Sequence, residues 1–256
     1  MNSINLSYQQ YSYILFAWMG LALLIFFLLL RVTAPYGRHT SAKWGPAVDN
    51  RLGWMLMEAP VLIVLWIFVL PHYQQLSLPA WIMIGLFCLH YLNRTFIFPF
   101  RLHTAGKKMP WLIVGSGILF NLVNGFSLGY YFSHFESYTN SWLQDPRFIL
   151  GLCMFFGGMM INWKADNVLI GLRKPGETHY VIPRGWLFEY ISCPNLFGEI
   201  MEWMGYALLC WNLPAAGFLF WTIANLLPRA LSHHRWYKNR FNAYPPERKA
   251  VIPFVV

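Results

Sequence analysis

Ionisable and amide side chains recur at helical spacing inside stretches that are otherwise apolar. Residues three, four, seven or eleven positions apart share one face of a helix. Four such rows occur: Asn162, Asp166 and Arg173; Asn195, Glu199 and Glu202; His90 or Tyr91 with Arg94; and Arg229, His233, Tyr237 and Arg240. Glu58 stands alone within an apolar segment. Because ionisable groups inside membrane helices are costly, each is a candidate functional residue.

All of these groups fall near the same end of their apolar segments. The simplest arrangement that satisfies them is one polar cavity that opens to the cytoplasm and is roofed by the loops. Interhelical salt bridges that only hold a bundle together are the alternative interpretation, and for any single residue the two are evenly matched. Convergence from five segments favours the cavity.

The elements that position these residues are predicted to be transmembrane helices. Hydrophobic residues make up 57% of the 256 residues and charged residues only 11%, whereas a soluble domain carries about 25% charged residues. A helix needs about 20 mostly apolar residues to cross the hydrocarbon core. The sequence predicts an all-α, seven-helix membrane bundle that forms a single domain over 1–256, with spans near 13–30, 54–70, 79–98, 111–132, 147–163, 199–212 and 214–230.

The distribution of basic residues sets the orientation. Eighteen of the 19 Lys and Arg residues fall on one side of the seven predicted spans, and only Arg147 falls on the other. The positive-inside rule makes the first side cytoplasmic. We therefore expect the N-terminus outside and a cytoplasmic tail over 231–256. The net charge of +9 then needs no nucleic acid partner to explain it.

The sequence predicts neither a metal site nor a soluble type of nucleotide fold. The four cysteines show no CxxC spacing, and the adjacent His233 and His234 point in different directions on a helix and lack a third ligand. No GxGxxG lies between a strand and a helix. Gly115, Gly117 and the pair at 157–158 lie inside apolar spans, where small residues permit close helix packing.

Several segments together resemble the steroid 5α-reductases, and the resemblance covers nearly the whole chain. The strongest matches are 172–177, 195–208, 229–237 and 244–254, with further matches at 36–40, 58–60 and 86–96. The C-terminal matches are shared in part with membrane reductases of enoyl-CoA, polyprenols and sterols. Glu58 and the segment 90–95 favour the steroid branch.

The resemblance implies that NADPH delivers hydride to C5 of a 3-oxo-Δ4 steroid while a proton reaches C4. Hydride addition to the conjugated alkene moves negative charge onto the C3 oxygen, so the site must hold hydrogen-bond donors there. Tyr91 can donate its phenol, and a Glu58 kept protonated by its apolar surroundings can donate as well. A flat lipophilic substrate would enter this site from the bilayer.

The resemblance also assigns the cofactor residues. The phosphates of NADPH call for cations, and the matching positions are Arg173, Arg229 and Arg248. The ribose and carboxamide groups need mixed donors and acceptors, which are offered by Asn162, Asp166, Tyr180, Asn195, Glu199, His233 and Tyr237.

The chain departs from the family pattern at Met57, Gly115 and the pair Lys107-Lys108, and the departure at Met57 leaves the particular steroid open. Three alternatives also stay open: a reductase of another lipid enone, a membrane methyltransferase that uses S-adenosylmethionine, and a transporter or lipid-binding scaffold. The sequence does not separate a bacterial inner membrane from the endoplasmic reticulum, and it leaves the oligomeric state open, a monomer being compatible with it.

Overall fold

The protein is predominantly helical in a computed structural model that describes residues 5–103, 106–172, 177 and 179–256. Within these ranges, seven long α-helices and one short α-helix follow one another along the chain. They are α1 Tyr8–Arg31, α2 Asn50–Val69, α3 Leu78–Leu92, α4 Phe98–Arg101, α5 Trp111–His134, α6 Pro146–Gly171, α7 Pro194–Cys210 and α8 Leu213–Arg240.

Five helical segments among the described residues are long and apolar enough to cross a membrane. They are Tyr8–Arg31, Asn50–Gln75, Leu78–Arg101, Trp111–His134 and Pro146–Gly171. The predicted all-α membrane class is therefore confirmed. The other two predicted spans, 199–212 and 214–230, coincide with α7 and α8. However, α7 is only 17 residues long, and α8 ends in a polar stretch.

Local sequence signals explain where several helices begin. The Ser7 side chain caps α1 by accepting from the backbone N–H of Gln10, and the Gln10 side chain accepts from the backbone N–H of Ser7. The side chains of Asp49, Asp145 and Asn212 likewise accept from backbone N–H groups at the starts of α2, α6 and α8. Such side-chain acceptors satisfy backbone donors that a helix start leaves unpaired.

The helices pack mainly in pairs, two of them formed by helices distant in the sequence and one by consecutive helices. α1 lies against α8, α2 against α5, and α6 against α7. In the first pair, the rings of Trp18 and Trp221 are 4.4 Å apart. α3 is the most buried of the candidate spans, and its Phe87 packs against Trp203 and Phe218 of α7 and α8. The core therefore surrounds α3, which also carries Tyr91.

Glycines allow α6 and α7 to approach with their backbones in contact. A Cβ on Gly158 would lie 2.5 Å from the Gly198 carbonyl oxygen and would overlap the backbone of Glu202. One heptad away, Gly151 meets Gly205 in the same manner. Small residues at such spacing permit close helix approach, so the prediction that the 157–158 pair serves packing is confirmed at Gly158.

A π-helical turn at Asn93–Ile97 interrupts the run from α3 into α4. Phe98 donates its backbone N–H to the carbonyl of Asn93, five residues back. Pro99 follows at once and has no N–H to donate. Such turns reorient side chains and are frequent at functional sites, and this one carries Arg94.

A small antiparallel sheet lies beside the helices. Strand β1 (Ala47–Asp49) pairs with β2 (Lys108–Pro110), with Val48 opposite Met109. The all-α expectation did not include this pairing. It joins the segment before α2 to the segment before α5, and thereby aligns the starts of two helices that pack together.

We predict that Gly158→Ala destabilises the protein while Gly157→Ala does not. The added methyl at 158 meets helix backbone, whereas at 157 it meets only the flexible tip of Met201, at 3.2 Å. Overpacking of this kind costs about 1–3 kcal/mol. Thermal unfolding in detergent should show a lower Tm for the 158 variant alone. Equal Tm values for the two variants would contradict the close packing.

Candidate active site

A polar centre made of Glu58, Tyr91, Arg94, Asp166 and Glu199 lies within the helix bundle. Its members come from α2, α3, the π-helical turn, α6 and α7. The guanidinium of Arg94 interacts electrostatically with all three carboxylates, and Tyr91 interacts with Glu58. Arg94 also lies over the rings of Trp54 and Phe98, at 4.7 and 4.5 Å. Charges and hydrogen-bonding groups from distant parts of the sequence thus meet in one place.

Glu58 and Tyr91 of the polar centre differ in how they are held. Glu58 Oε2 accepts from Asn121 Nδ2 at 3.2 Å. Tyr91 is 3% exposed, and its hydroxyl has no hydrogen-bond partner among the described residues. The Tyr91 ring is fixed by Phe87, Trp203 and Phe218, so its hydroxyl is positioned but left available.

Amide side chains join α6 to the start of α7. Asn162 Nδ2 donates to the Asn195 carbonyl at 2.9 Å, and Asn195 Nδ2 donates to Asp166 Oδ1 at 3.2 Å. Asn162 Nδ2 also lies 3.5 Å from Glu199 Oε2. The close helix approach at Gly158 is what allows these short side chains to reach each other.

A buried pair lies one turn from this centre. His90 Nδ1 and Glu202 Oε1 are 2.7 Å apart, and both side chains are almost inaccessible to solvent. His90 packs edge-on against Trp203, at 4.6 Å between ring centroids. The pair satisfies Glu202 inside the bundle and fixes the turn of α3 that carries Tyr91.

An arginine–aromatic cluster, made of Arg38, Tyr180, Trp236 and Tyr237, lies at the end of the bundle where α6 ends and α7 begins. The Arg38 guanidinium lies over all three rings, at 5.5, 5.0 and 4.6 Å respectively. Its Nη1 is buried and has no hydrogen-bond partner within the described ranges. Lys107 Nζ reaches the Tyr180 hydroxyl at 3.0 Å.

Arg229 fixes the segment after α1 to α8. It donates to the carbonyls of Ala34 and Tyr36, at 2.8 and 2.7 Å, and lies over the Tyr36 ring. One turn further, His233 Nδ1 lies 3.1 Å from His39 Nε2, and the rings stack.

Burial and the neighbouring arginines disfavour a charge on the stacked histidines. Burial, then the charges of Arg229 and Arg38, lower the pKa of His39 to about 4. The pKa of His233 also lies well below its usual value, because of burial and the same arginines. Both rings are therefore neutral at pH 7.

Arg248 fixes the C-terminal segment. It is buried, donates to the Pro183 carbonyl at 3.0 Å and approaches Glu189 Oε2 at 3.3 Å. Its Nε is buried without a partner among the residues described. Burial and fixed partners give this arginine a structural role in addition to any contact with a ligand.

A cavity of about 200 Å³ connects the polar centre to the arginine–aromatic cluster. Arg38, Asp166 and Asn195 line it, and the rest of the wall is formed by Phe98, Leu102, His103, Leu169 and Ile170. A cation, a carboxylate and an amide thus share one cavity. That set suits a ligand with anionic, hydroxyl and amide groups.

The predicted site residues fall into two groups. Glu58, Tyr91, Asn162, Asp166, Asn195 and Glu199 lie in or beside the polar centre. Tyr180, Arg229, His233 and Tyr237 lie around the arginine–aromatic cluster, and Arg248 lies near the C-terminus. Arg173, predicted to contact a phosphate, is outside the described residues.

Two residues that the sequence did not single out, Arg38 and Asn121, are part of the site. Arg94 was already a candidate through its helical spacing to His90 and Tyr91, but it had no assigned role. Arg38 and Asn121 carried no such signal, because their contacts are with residues more than 60 positions away. Among the described residues, no three His, Cys, Asp or Glu cluster as metal ligands.

The fold and the site together define a helical integral membrane protein with a polar chamber inside the bundle. Comparison with known sequences identifies the family. The family model described as 3-oxo-5-alpha-steroid 4-dehydrogenase matches residues 107–256. The chain belongs to this family and is an oxidoreductase that acts on CH–CH groups.

Similar proteins come from both animals and plants. 3-oxo-5-alpha-steroid 4-dehydrogenase 1 of Macaca fascicularis is 43% identical, over 86% of this chain and 84% of its own. Steroid 5-alpha-reductase DET2 of Gossypium hirsutum is 44% identical, over 87% and 88%. 3-oxo-5-alpha-steroid 4-dehydrogenase 1 of Bos taurus is 40% identical, over 93% of each chain.

We predict that acidification below pH 6.5 loosens the stacked His39–His233 contact. Because the pKa of His39 is about 4 in the folded protein and near 6.5 when unfolded, the unfolded state binds more protons between these values. Stability is therefore full above pH 6.5 and declines as the pH falls toward 4. Tm measured from pH 7.5 to 4.5 should fall less steeply in His39→Gln than in the wild type. Parallel profiles would contradict this assignment.

Proposed function

We propose that the protein reduces the Δ4 double bond of 3-oxo-Δ4 steroids to 5α-steroids, with NADPH as the hydride donor. The names of its relatives support the reaction class. The observation that carries the mechanism is the electrostatic interaction of Glu58 with Tyr91, a 3% exposed residue whose hydroxyl has no hydrogen-bond partner among the described residues. Two donors in this chamber suit a substrate whose ketone gains negative charge.

Tyr91 and Glu58 would both donate hydrogen bonds to the C3 oxygen of the steroid. When hydride adds at C5, negative charge moves through the alkene to that oxygen, and fixed donors stabilise it. One guanidinium, Arg94, faces three carboxyl groups, and like charges in one site disfavour full ionisation. This balance supports a Glu58 that keeps its proton and can donate it to a hydrogen bond.

The residues around the cavity fit NADPH. Arg38 has a buried Nη1 without a partner among the described residues, and Arg38 and Arg229 are held by rings and carbonyls rather than by carboxylates. Their charge is therefore left for phosphates. Asp166 and Asn195 line the same cavity as Arg38 and would hold ribose or carboxamide groups. When bound there, NADPH supplies the hydride.

We also propose seven spans, with the N-terminus outside and the active site on the cytoplasmic side. The asymmetric basic residues support this orientation. α7 and α8 would then form the last two spans, with the polar end of α8 extending into the cytoplasm together with the arginine–aromatic cluster. The substrate would reach the chamber from the bilayer.

The function is tested by NADPH consumption with product analysis in detergent-purified protein. Testosterone, progesterone and androstenedione serve as substrates, and NADPH binding is followed separately by its fluorescence. A 5α-reduced product supports the proposal. If NADPH binds but no steroid is turned over, the protein would be a reductase of another lipid enone. Absence of NADPH binding would overturn it and favour the methyltransferase.

We predict that Tyr91→Phe and Glu58→Leu each lower kcat about 100- to 1,000-fold, since each removes one donor to the developing oxyanion. Glu58→Gln should lose less, because its amide still donates. NADPH affinity should stay within about twofold, because neither side chain is assigned to the cofactor. Wild-type kcat in both Tyr91→Phe and Glu58→Leu would refute the assigned roles.

We predict that cysteines introduced at Ser141 and Asn242 face opposite sides of the membrane. In sealed vesicles with the cytoplasmic face outward, a membrane-impermeant thiol reagent should label position 242 and not 141. The parent for this test lacks the exposed Cys153. Labelling of both positions, or of 141 alone, would contradict the proposed orientation.

A further inference from the structure

Asn121 of α5 makes a contact in the polar centre that no part of the proposed mechanism has used. Its side chain is buried, at 2% exposure. Nδ2 lies 2.5 Å from the carbonyl oxygen of Met57 and 3.2 Å from Oε2 of Glu58. One amide nitrogen therefore contacts both the backbone of α2 and the carboxyl group that this helix contributes.

The carbonyl of Met57 determines which way the Asn121 amide points. A backbone carbonyl only accepts hydrogen bonds, so the side of the amide that faces it must be the NH₂ group. The reversed amide would place Oδ1 against the carbonyl oxygen, two acceptors at hydrogen-bond distance. Oδ1 instead points away and is buried without a partner among the described residues. The side-chain oxygen of Asn121 is thus left unpaired, which is unfavourable in a buried position, while the NH₂ group of the amide donates to two acceptors on α2.

This orientation distinguishes the two oxygens of Glu58. Oε2 accepts from the N–H of Asn121, and the carbonyl oxygen of a carboxylic acid is a better acceptor than its hydroxyl oxygen. This hydrogen bond therefore favours a neutral Glu58 that carries its proton on Oε1. We propose that Asn121 is a positioning residue, which fixes the proton of Glu58 on Oε1 and so makes that oxygen the donor to the substrate ketone. The proposal rests on the function proposed above for Glu58.

Asn121 also helps Glu58 to donate. As negative charge develops on the substrate oxygen, the Oε1–H bond is polarised and negative charge accumulates on the carboxyl group. The N–H at Oε2 stabilises that charge, because hydrogen bonds in a chain strengthen one another in a medium of low dielectric constant. Hydrogen bonds to charged groups are worth enough to change a rate about 10- to 100-fold.

The same helix supplies a matched control. Asn124 is equally buried, at 2% exposure, but its Nδ2 donates to the Phe120 carbonyl of its own helix, at 2.7 Å. Asn124→Leu therefore removes a buried amide from α5 without removing the hydrogen bonds that Asn121 makes to α2. A purely structural effect of losing an amide should be shared by the two positions.

The first experiment is a double-mutant cycle on steroid reduction, with Asn121→Leu, Glu58→Leu and the double variant. We expect Asn121→Leu to lower kcat about 10- to 100-fold with KM nearly unchanged. In the Glu58→Leu background the same change should lower kcat less than about twofold, because the group it positions is gone. Asn124→Leu should keep wild-type kcat.

Two outcomes of the cycle would overturn the proposal in distinguishable ways. If Glu58→Leu is itself fully active, the role of Glu58 fails and the positioning role fails with it. If Glu58→Leu is inactive as expected but Asn121→Leu has wild-type kcat, or loses as much in both backgrounds, only the role of Asn121 fails. If the leucine variant does not fold, Asn121→Ser takes its place in the cycle.

A second measurement needs no turnover. The C=O stretch of a protonated Glu58 is assigned by infrared difference spectroscopy between the wild type and Glu58→Leu. Because Oε2 is then the carbonyl oxygen, loss of its hydrogen bond in Asn121→Leu should move that band to higher frequency, whereas Asn124→Leu should leave it in place. An unmoved band in Asn121→Leu would overturn the proposal.

Discussion

Arg94 provides the positive charge around which the interior of the bundle is arranged. Three carboxyl groups, Glu58, Asp166 and Glu199, come from three helices and interact with this single guanidinium. An unpaired charge inside an apolar bundle costs several kcal/mol, and the three acids offset that cost through space, although none lies within 4 Å of Arg94 among the described residues. The π-helical turn and the rings of Trp54 and Phe98 hold the arginine in this place.

The glycines of α6 and α7 make that convergence possible. Asparagine and aspartate side chains are short, so Asn162, Asp166 and Asn195 meet only because the two backbones touch at Gly158 and Gly198. Between membrane helices, lipid offers no hydrophobic driving force, and close van der Waals packing takes its place. The close packing of α6 against α7 therefore also determines the geometry of this part of the site.

The polar centre and the arginine–aromatic cluster differ in their balance of charges. In the polar centre, three acidic residues lie around one arginine, Arg94. In and beside the arginine–aromatic cluster, Arg38 and Arg229 are held by aromatic rings and backbone carbonyls, and within the described ranges neither forms an ion pair. Rings and carbonyls position a guanidinium without cancelling its charge. This difference suits a lipophilic ketone at one end and an anionic cofactor at the other.

The sequence alone determined the membrane class, the approximate helix positions and most residues of the polar centre, because apolar length, helical spacing and misplaced charge are local signals. It could not determine contacts between distant segments. Only the tertiary structure places the amide of Asn121 beside Glu58 and the backbone of Met57. Likewise, only the folded chain turns Arg229 and Arg248 toward backbone carbonyls. Such contacts depend on how helices pack against each other, and no spacing within one helix records that.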